Sequence, residues 1–229
     1  YDGTTDAAVR FSDNRVAGDT LGISSAASFA DKHVGTAKAV SVTGISLTGT
    51  DAANYTVNPT AAATASITAR ALTVSATGQN RVYDGTTNAD VTLADNRVAG
   101  DALDLSHTTA SFASKNAGTA RTINVAGINV TGLDAGNYTF NTTAAATADI
   151  TARALTVNAT GQNKVYDGSA NATVTLGDNR VAGDALTLNH TGAAFADKIV
   201  VATRPLTRTT LYVNGTLVRY YSFNTTATT

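Results

Sequence analysis

Apolar residues recur at every second position in short bursts along the chain. Leu72, Val74 and Ala76 alternate with Thr73 and Ser75, and Val91 with Leu93 and Leu103 with Leu105 repeat the device. Ile123 and Val125, then Ile128 and Val130, flank Gly127; Tyr138 and Phe140 alternate further on, and Ile150 closes the series. A period of two over four to eight residues marks a half-buried strand. Clusters of Gly, Asn and Asp ("TGQN", "YDGTTN", "ADNRVAGD", "SKNAGT", "LDAGN") punctuate the bursts as turns. No segment carries a helical period. The pattern predicts seven or so short strands in about 83 residues, the size of an immunoglobulin-like sandwich.

The pattern also repeats. Tyr-Asp-Gly occurs at Tyr1–Gly3, Tyr83–Gly85 and Tyr166–Gly168, and DNRVAGD follows at Asp13–Asp19, Asp95–Asp101 and Asp178–Asp184. The spacing is 82 and then 83 residues; the DNRVAGD phrases keep the first offset while Phe29 and Phe112 keep the second, so one residue is inserted between Asp101 and Phe112. Coils of a β-helix or leucine-rich repeats run to about 30 residues or fewer, so this period suits a whole small domain. The predicted repeats are 1–68, 69–151 and 152–229. The first is expected to lack its opening strand and the third its closing one, so the chain reads as a fragment. A missing first strand leaves a sheet edge able to pair with another chain. "TADITARALTVNATG" runs from one repeat into the next without a Pro/Gly/Ser linker, which predicts stiff coupling between neighbours.

Composition supports an all-β reading. All 17 acidic residues of the 229 are Asp, Met and Trp are absent, and Thr and Ala dominate. Glu favours helices, whereas Asp and Gly favour turns and Thr favours strands. A net charge of −1 supplies no basic surface for nucleic acid. Without Cys there is neither a disulfide framework nor a thiolate metal site, and a three-His zinc centre would need His33, His107 and His190 from three repeats. No apolar run approaches the roughly 18 residues that span a bilayer, so this segment is not expected to insert in a membrane.

The ordered set Tyr83-Asp84-Gly85, Val98-Ala99-Gly100-Asp101, Asn116-Ala117-Gly118-Thr119, Gly127-Ile128 and Asp134-Ala135-Gly136-Asn137-Tyr138 resembles the YDG-type repeats of large bacterial surface exoproteins, the filamentous-haemagglutinin-like adhesins with Ig-like stalk domains. The resemblance covers the first two repeats and about two thirds of the third. It implies tandem β-sandwich stalk repeats on an exported, outer-membrane-associated adhesin, and it implies no catalysis.

Each motif has a structural and a chemical reading. Tyr83 is expected at a sheet edge with its ring packed, Asp84 to accept backbone N–H groups from Thr86 or Thr87, and Gly85 to supply a positive φ. A catalytic role would need a recurring base, nucleophile or oxyanion hole, and none recurs with it. In DNRVAGD, Asp95 and Asp101, with Asp104 or Asp134 nearby, are candidate calcium ligands, calcium being the one cofactor the sequence leaves open. The structural alternative has Asp95 capping a turn, Val98 plugging the end of the core and Gly100-Asp101 reversing the chain. Asp134, Gly136, Asn137 and Tyr138 resemble the approach to a tyrosine corner. His107 and His190, with Ser24 or Ser25 at that place in the first repeat, are predicted to face solvent. Asn-x-Thr triplets at Asn137 and Asn171 are expected by chance in a chain so rich in Asn and Thr.

One segment departs from the repeat. Over 199–220 the length is kept, but Val201 stands for Gly118, Arg208 for Val125, and Leu217 and Arg219 for Asp134 and Gly136, with Arg204 and Pro205 added. Two compensating frameshifts explain this, and so does a diversified contact surface; the clash of Pro and Arg with strand patterning favours the first. The function expected is that of a stalk projecting a binding region, with neighbouring repeats as immediate partners. The alternative is a module whose Asp-rich loops bind a glycan, a host protein or calcium.

Overall fold

The computed structural model describes residues 1–200 and 209–227, and over these the regular secondary structure is nearly all strand. Among the described residues, helical structure is confined to three single 3-10 turns, Ala52–Asn54, Ala135–Asn137 and Val218–Tyr220, one per repeat. Residues 69–151 carry ten short strands rather than about seven. Thr73 separates Arg70–Leu72 from Val74–Gly78, and Gly127, at φ +67°, separates Gly118–Ala126 from Asn129–Thr131. The inserted residue makes a third break, between Asp104–Ser106 and Thr109–Phe112. In the first repeat the same region is one strand, Gly22–Phe29, with a register shift between Ser24 and Ala26. Ile23 pairs with Leu47 as Leu105 pairs with Val130, so the insertion falls at His107–Thr108.

The chain divides into two compact units: Tyr1–Ser75 with Leu93–Thr108 and Ala126–Ala144, and Ala76–Thr92 with Thr109–Val125 and Ala145–Thr229. The borders cut the middle repeat across its strands, so the meeting of the first two repeats lies inside the first unit and that of the last two inside the second.

In the first unit, Gly22–Phe29, Gly35–Thr48 and Thr60–Ile67 form an antiparallel sheet in that order. Val40, Val42 and Ile45 form its core, packed by Ala7, Val9, Ile23, Ala27 and Phe29. From the middle repeat, Asp104–Ser106 pairs antiparallel with Asn129–Thr131, and Arg70–Leu72 pairs parallel with Tyr138–Phe140.

In the second unit, Arg81–Val82 pairs parallel with the end of Thr143–Thr151. Ile123 and Ile150 are buried, and Gly78 runs so close that a Cβ would sit 2.6 Å from Ile123 Cδ1 and 2.8 Å from the Thr147 carbonyl oxygen. The third repeat contributes Val157–Gly161 against Val174–Asp178, Thr187–Thr191 against Thr209–Asn214, and Arg153–Leu155 parallel to Tyr221–Phe223.

Two expectations change. His107 and His190 are half-buried with Nδ1 shielded. They share parity with Leu103 and Leu105 and with Leu186 and Leu188, so alternation turns them toward the apolar side. In the divergent segment, Thr209–Asn214 keeps the alternation through buried Leu211 and Val213, and the 3-10 turn at Val218–Tyr220 is retained. Val201, Arg204, Pro205 and Arg208 lie outside the described residues.

Candidate repeat-junction site

Within residues 95–101 almost every side chain has a defined task. Asp95 accepts the Arg97 backbone N–H at 2.9 Å and pairs with the Arg97 guanidinium at 2.6 Å. That guanidinium holds the Asp95 carboxyl below the usual carboxylate range. Arg97 also donates to the Leu103 carbonyl at 2.7 Å, closing the loop, while Asn96 Oδ1 accepts the Thr73 N–H at 2.8 Å. The third repeat reproduces these contacts through Asp178, Arg180 and Asn179. Asp101 N–H donates to the Val98 carbonyl at 3.1 Å, with Gly100 at φ +91° in the turn.

Asp101 is therefore pinned at the tip of a closed loop, and its side chain is 2% exposed. A carboxylate so desolvated needs matched donors. It has three. Tyr138 donates at 2.6 Å from its own repeat, and Tyr1 donates to both oxygens at 2.7 and 2.9 Å from the preceding repeat. Lys32 Nζ, also of the preceding repeat, lies 2.7 Å away and reaches Asp134 at 3.1 Å. The Tyr1 and Tyr138 rings meet edge to face at 5.4 Å, a favourable aromatic arrangement. Tyr138 also accepts the Val98 N–H at 2.9 Å, so one phenol ties the loop to the strand Tyr138–Phe140.

The neighbouring groups complete the fit. Asp134 Oδ2 accepts the Ala102 N–H at 3.0 Å, and buried Asn137 accepts the Val34 N–H at 3.1 Å across the junction. Gly136 lies in the turn where a Cβ would meet nothing. Gly3, at φ +86°, faces Val98 so closely that a Cβ would lie 2.7 Å from Val98 Cγ1. Val98 thus packs on the preceding repeat's glycine rather than plugging its own core.

The second unit repeats the arrangement. Tyr83, fully buried, donates to both oxygens of Asp184 at 2.9 and 3.1 Å, and Tyr221 donates to Asp184 at 2.6 Å. The two rings meet at 5.6 Å and 80°. Asp84 accepts the Thr86 N–H at 2.8 Å, which shapes the turn that places Gly85, at φ +81°, 2.7 Å (as a Cβ) from Val181 Cγ1. The divergent residues alter the rest. Leu217 replaces the second carboxylate, Lys115 stands 3.5 Å from Asp184, and Tyr220 fills the place of Asn137 with its ring 5.3 Å from that of Tyr83.

Burial opposes ionisation of Asp101, but the bonds from Lys32, Tyr138 and Tyr1 outweigh it and keep the carboxyl below its ordinary range. Burial, reinforced by the facing carboxylate, pushes Tyr83, Tyr138 and Tyr221 up to about 12. The junction is thus a buried anion clasped by phenols that stay protonated at neutral pH.

The calcium candidates Asp95, Asp101 and Asp104 are not brought together, and Asp134 meets Asp101 through the Lys32 ammonium. Asp95 faces Arg97, Asp101 faces its three donors, and Asp104 is exposed on the strand Asp104–Ser106. Among the described residues no group of three or more His, Cys, Asp or Glu assembles that could hold a metal. Sequence reasoning missed Lys32 and Lys115, whose only signal was their recurrence before the "GT" turn. It also missed Asn141, which accepts the Val74 N–H at 2.8 Å and donates to the Val74 carbonyl at 2.9 Å, and whose counterpart Asn224 does the same for Val157.

Among the described residues no helix is long and apolar enough to cross a membrane. No curated protein and no solved structure matches the chain. The family model of the YDG domain matches residues 1–64, 68–146 and 151–229. The chain therefore belongs to the YDG domain family, present three times in tandem, and the Tyr-Asp-Gly of one copy meets the Val-Ala-Gly-Asp of the next.

Proposed function

We propose that the chain is a spacer: tandem Ig-like YDG repeats that hold a binding region away from a bacterial surface, within an exported adhesin of the filamentous-haemagglutinin-like kind. The observation that carries this reading is the duplicated junction, in which a tyrosine and a lysine of one repeat clasp a buried aspartate of the next. Tandem domains joined by a flexible linker tumble independently. Domains sharing a desolvated ion cluster, packed aromatic rings and a glycine–valine contact resist bending at that point, as a spacer requires. Thr on exposed strand faces keeps such a structure wet without large net charge.

The test is backbone ¹⁵N relaxation on the full chain. The spacer reading expects neighbouring repeats to share one rotational correlation time, with uncoupling in Asp101→Ala and Asp184→Ala. Independent tumbling of the unaltered repeats would overturn it. Saturable binding of a glycan or host-matrix protein, abolished by Asp101→Ala with the fold intact, would replace it with the binding-module reading.

A further inference from the structure

We propose that the YDG repeat carries tension, through two short parallel strand pairs that an asparagine side chain lengthens and that a pull along the chain loads in shear. The assignment rests on the spacer reading, because a spacer tied at one end and holding a ligand at the other is pulled along its chain. In a tandem array that pull enters the middle repeat ahead of Arg70 and leaves it after Thr151.

Parallel pairing holds the chain near both points. Arg70 faces Tyr138 and Leu72 faces Phe140 in one pair. In the other, Arg81 faces Ile150 and Val82 faces Thr151, and the Tyr83 N–H donates to the Thr151 carbonyl at 2.8 Å. Each pair is short, and each is continued by an amide side chain standing in for backbone. Asn141 accepts the Val74 N–H at 2.8 Å and donates to the Val74 carbonyl at 2.9 Å, the two bonds that a further strand residue would make. Asn80 accepts the Asp149 N–H at 2.7 Å, one step ahead of the Arg81 pairing. Leu72, Val74, Tyr138 and Ile150 are buried, which shields these bonds from exchange with water. The third repeat builds the first pair again, Arg153–Leu155 beside Tyr221–Phe223, with Asn224 bonded to Val157.

Direction decides how such pairs yield. The strands of a parallel pair run the same way and share evenly spaced bonds. Pulling one strand by its N-terminal end and the other by its C-terminal end slides them and loads every bond together. Pulling both by the same end peels the bonds one at a time. Tension drags Arg70–Leu72 by its N-terminal end, while Tyr138–Phe140 is held from downstream. It draws Thr151 by its C-terminal side, while Arg81–Val82 is held from upstream. Both pairs are therefore sheared, and the asparagines add to the number of bonds that must break at once.

The experiment is constant-force spectroscopy on the full chain, which has no cysteine of its own, held by handles on introduced cysteines. Ala69→Cys with Ala152→Cys applies the shear. Val82→Cys with Ala152→Cys separates the second pair from adjacent ends and peels it. All three positions are exposed, so the fold is retained. At one load the sheared repeat is expected to unfold about tenfold more slowly than the peeled one, the share of one hydrogen bond in the barrier. Asn80→Ala and Asn141→Ala should each raise the shear rate about tenfold and the peel rate less. Equal rates in the two directions overturn the proposal, and so do asparagine variants that speed both directions alike, the mark of general destabilisation. Either result leaves the shared tumbling of neighbouring repeats intact, whereas independent tumbling would remove the spacer reading without altering the direction dependence.

Discussion

The hydroxyl of Tyr83 donates to both carboxylate oxygens of Asp184, at 2.9 and 3.1 Å, across 101 residues of chain. Both ends of this contact belong to conspicuous repeated motifs. Tyr-Asp-Gly shapes a turn that presents a phenol, and Val-Ala-Gly-Asp shapes a loop that presents a buried carboxylate. The two motifs are halves of one connection. Its energetics follow from burying a charge with its donors.

Asp101→Ala leaves two phenols and an ammonium without their acceptor. Breaking a buried charged cluster from one side costs about 3 kcal/mol or more. Tyr138→Phe removes the charge-assisted bond to Asp101 and the acceptor of the Val98 N–H, and costs about 1.5–3 kcal/mol. Urea unfolding of each variant checks the order, and an Asp101→Ala protein as stable as its parent would contradict it.

Stability falls in alkali over a defined window. Tyr83, Tyr138 and Tyr221 titrate at about 12 when folded and near 10 when unfolded. The native state therefore holds extra protons above pH 10. The tyrosine contribution is complete below that pH and disappears as pH rises toward 12. Asp101, held below its ordinary range, acts oppositely: its contribution is complete above about pH 4 and is lost as pH falls through the lowered value. Thermal melts against pH read both limbs, and Tyr→Phe at the three phenols should flatten the alkaline one.

The two junctions respond differently to loss of their lysines. Lys32 bridges Asp101 and Asp134, whereas Lys115 stands 3.5 Å from Asp184 and finds Leu217 in place of the second acid. Both ammonium groups are partly exposed, so the effects are modest, with Lys32→Met costing more than Lys115→Met. Leu217→Asp should make the second junction more like the first. Equal costs for the two lysines, measured by denaturation at low salt, would contradict the assignment.

Gly85→Ala and Gly168→Ala separate strain from contact. Both glycines have positive φ, +81° and +77°, but only Gly85 faces a valine side chain. Each substitution carries a backbone cost of roughly 1–2 kcal/mol. Gly85→Ala carries the clash in addition, and Val181→Ala should relieve that part alone. Thermal unfolding of Gly85→Ala, Gly168→Ala, Val181→Ala and the Gly85→Ala/Val181→Ala double variant reads the difference.

The strands were legible in the sequence because alternation is local: Leu72, Val74, Ile123, Val125 and Ile150 are all buried as their parity requires. The turn at Asp84 is equally local, since Thr86 lies two residues on. Three things were not legible. Strand breaks at Thr73 and at the inserted residue depend on pairing register rather than composition. The histidines share parity with leucines, and it was their exchange for Ser24 or Ser25 in the first repeat that pointed outward. The partner of Tyr83 was out of reach, because a contact between copies of a repeat leaves the same periodicity as a contact within one copy. Within the divergent segment, Tyr220 shows what a list of lost motif residues conceals: it is buried against Tyr83 where Asn137 had stood.

The most direct measurement is a double-mutant cycle on Tyr83→Phe and Asp184→Ala in the full chain, read by equilibrium unfolding. If the two motifs form one junction, the coupling is about 1–3 kcal/mol. A coupling within about 0.3–0.5 kcal/mol of zero, the scatter of independent sites, would mean that tyrosine and aspartate act separately and that the repeats are not joined through them.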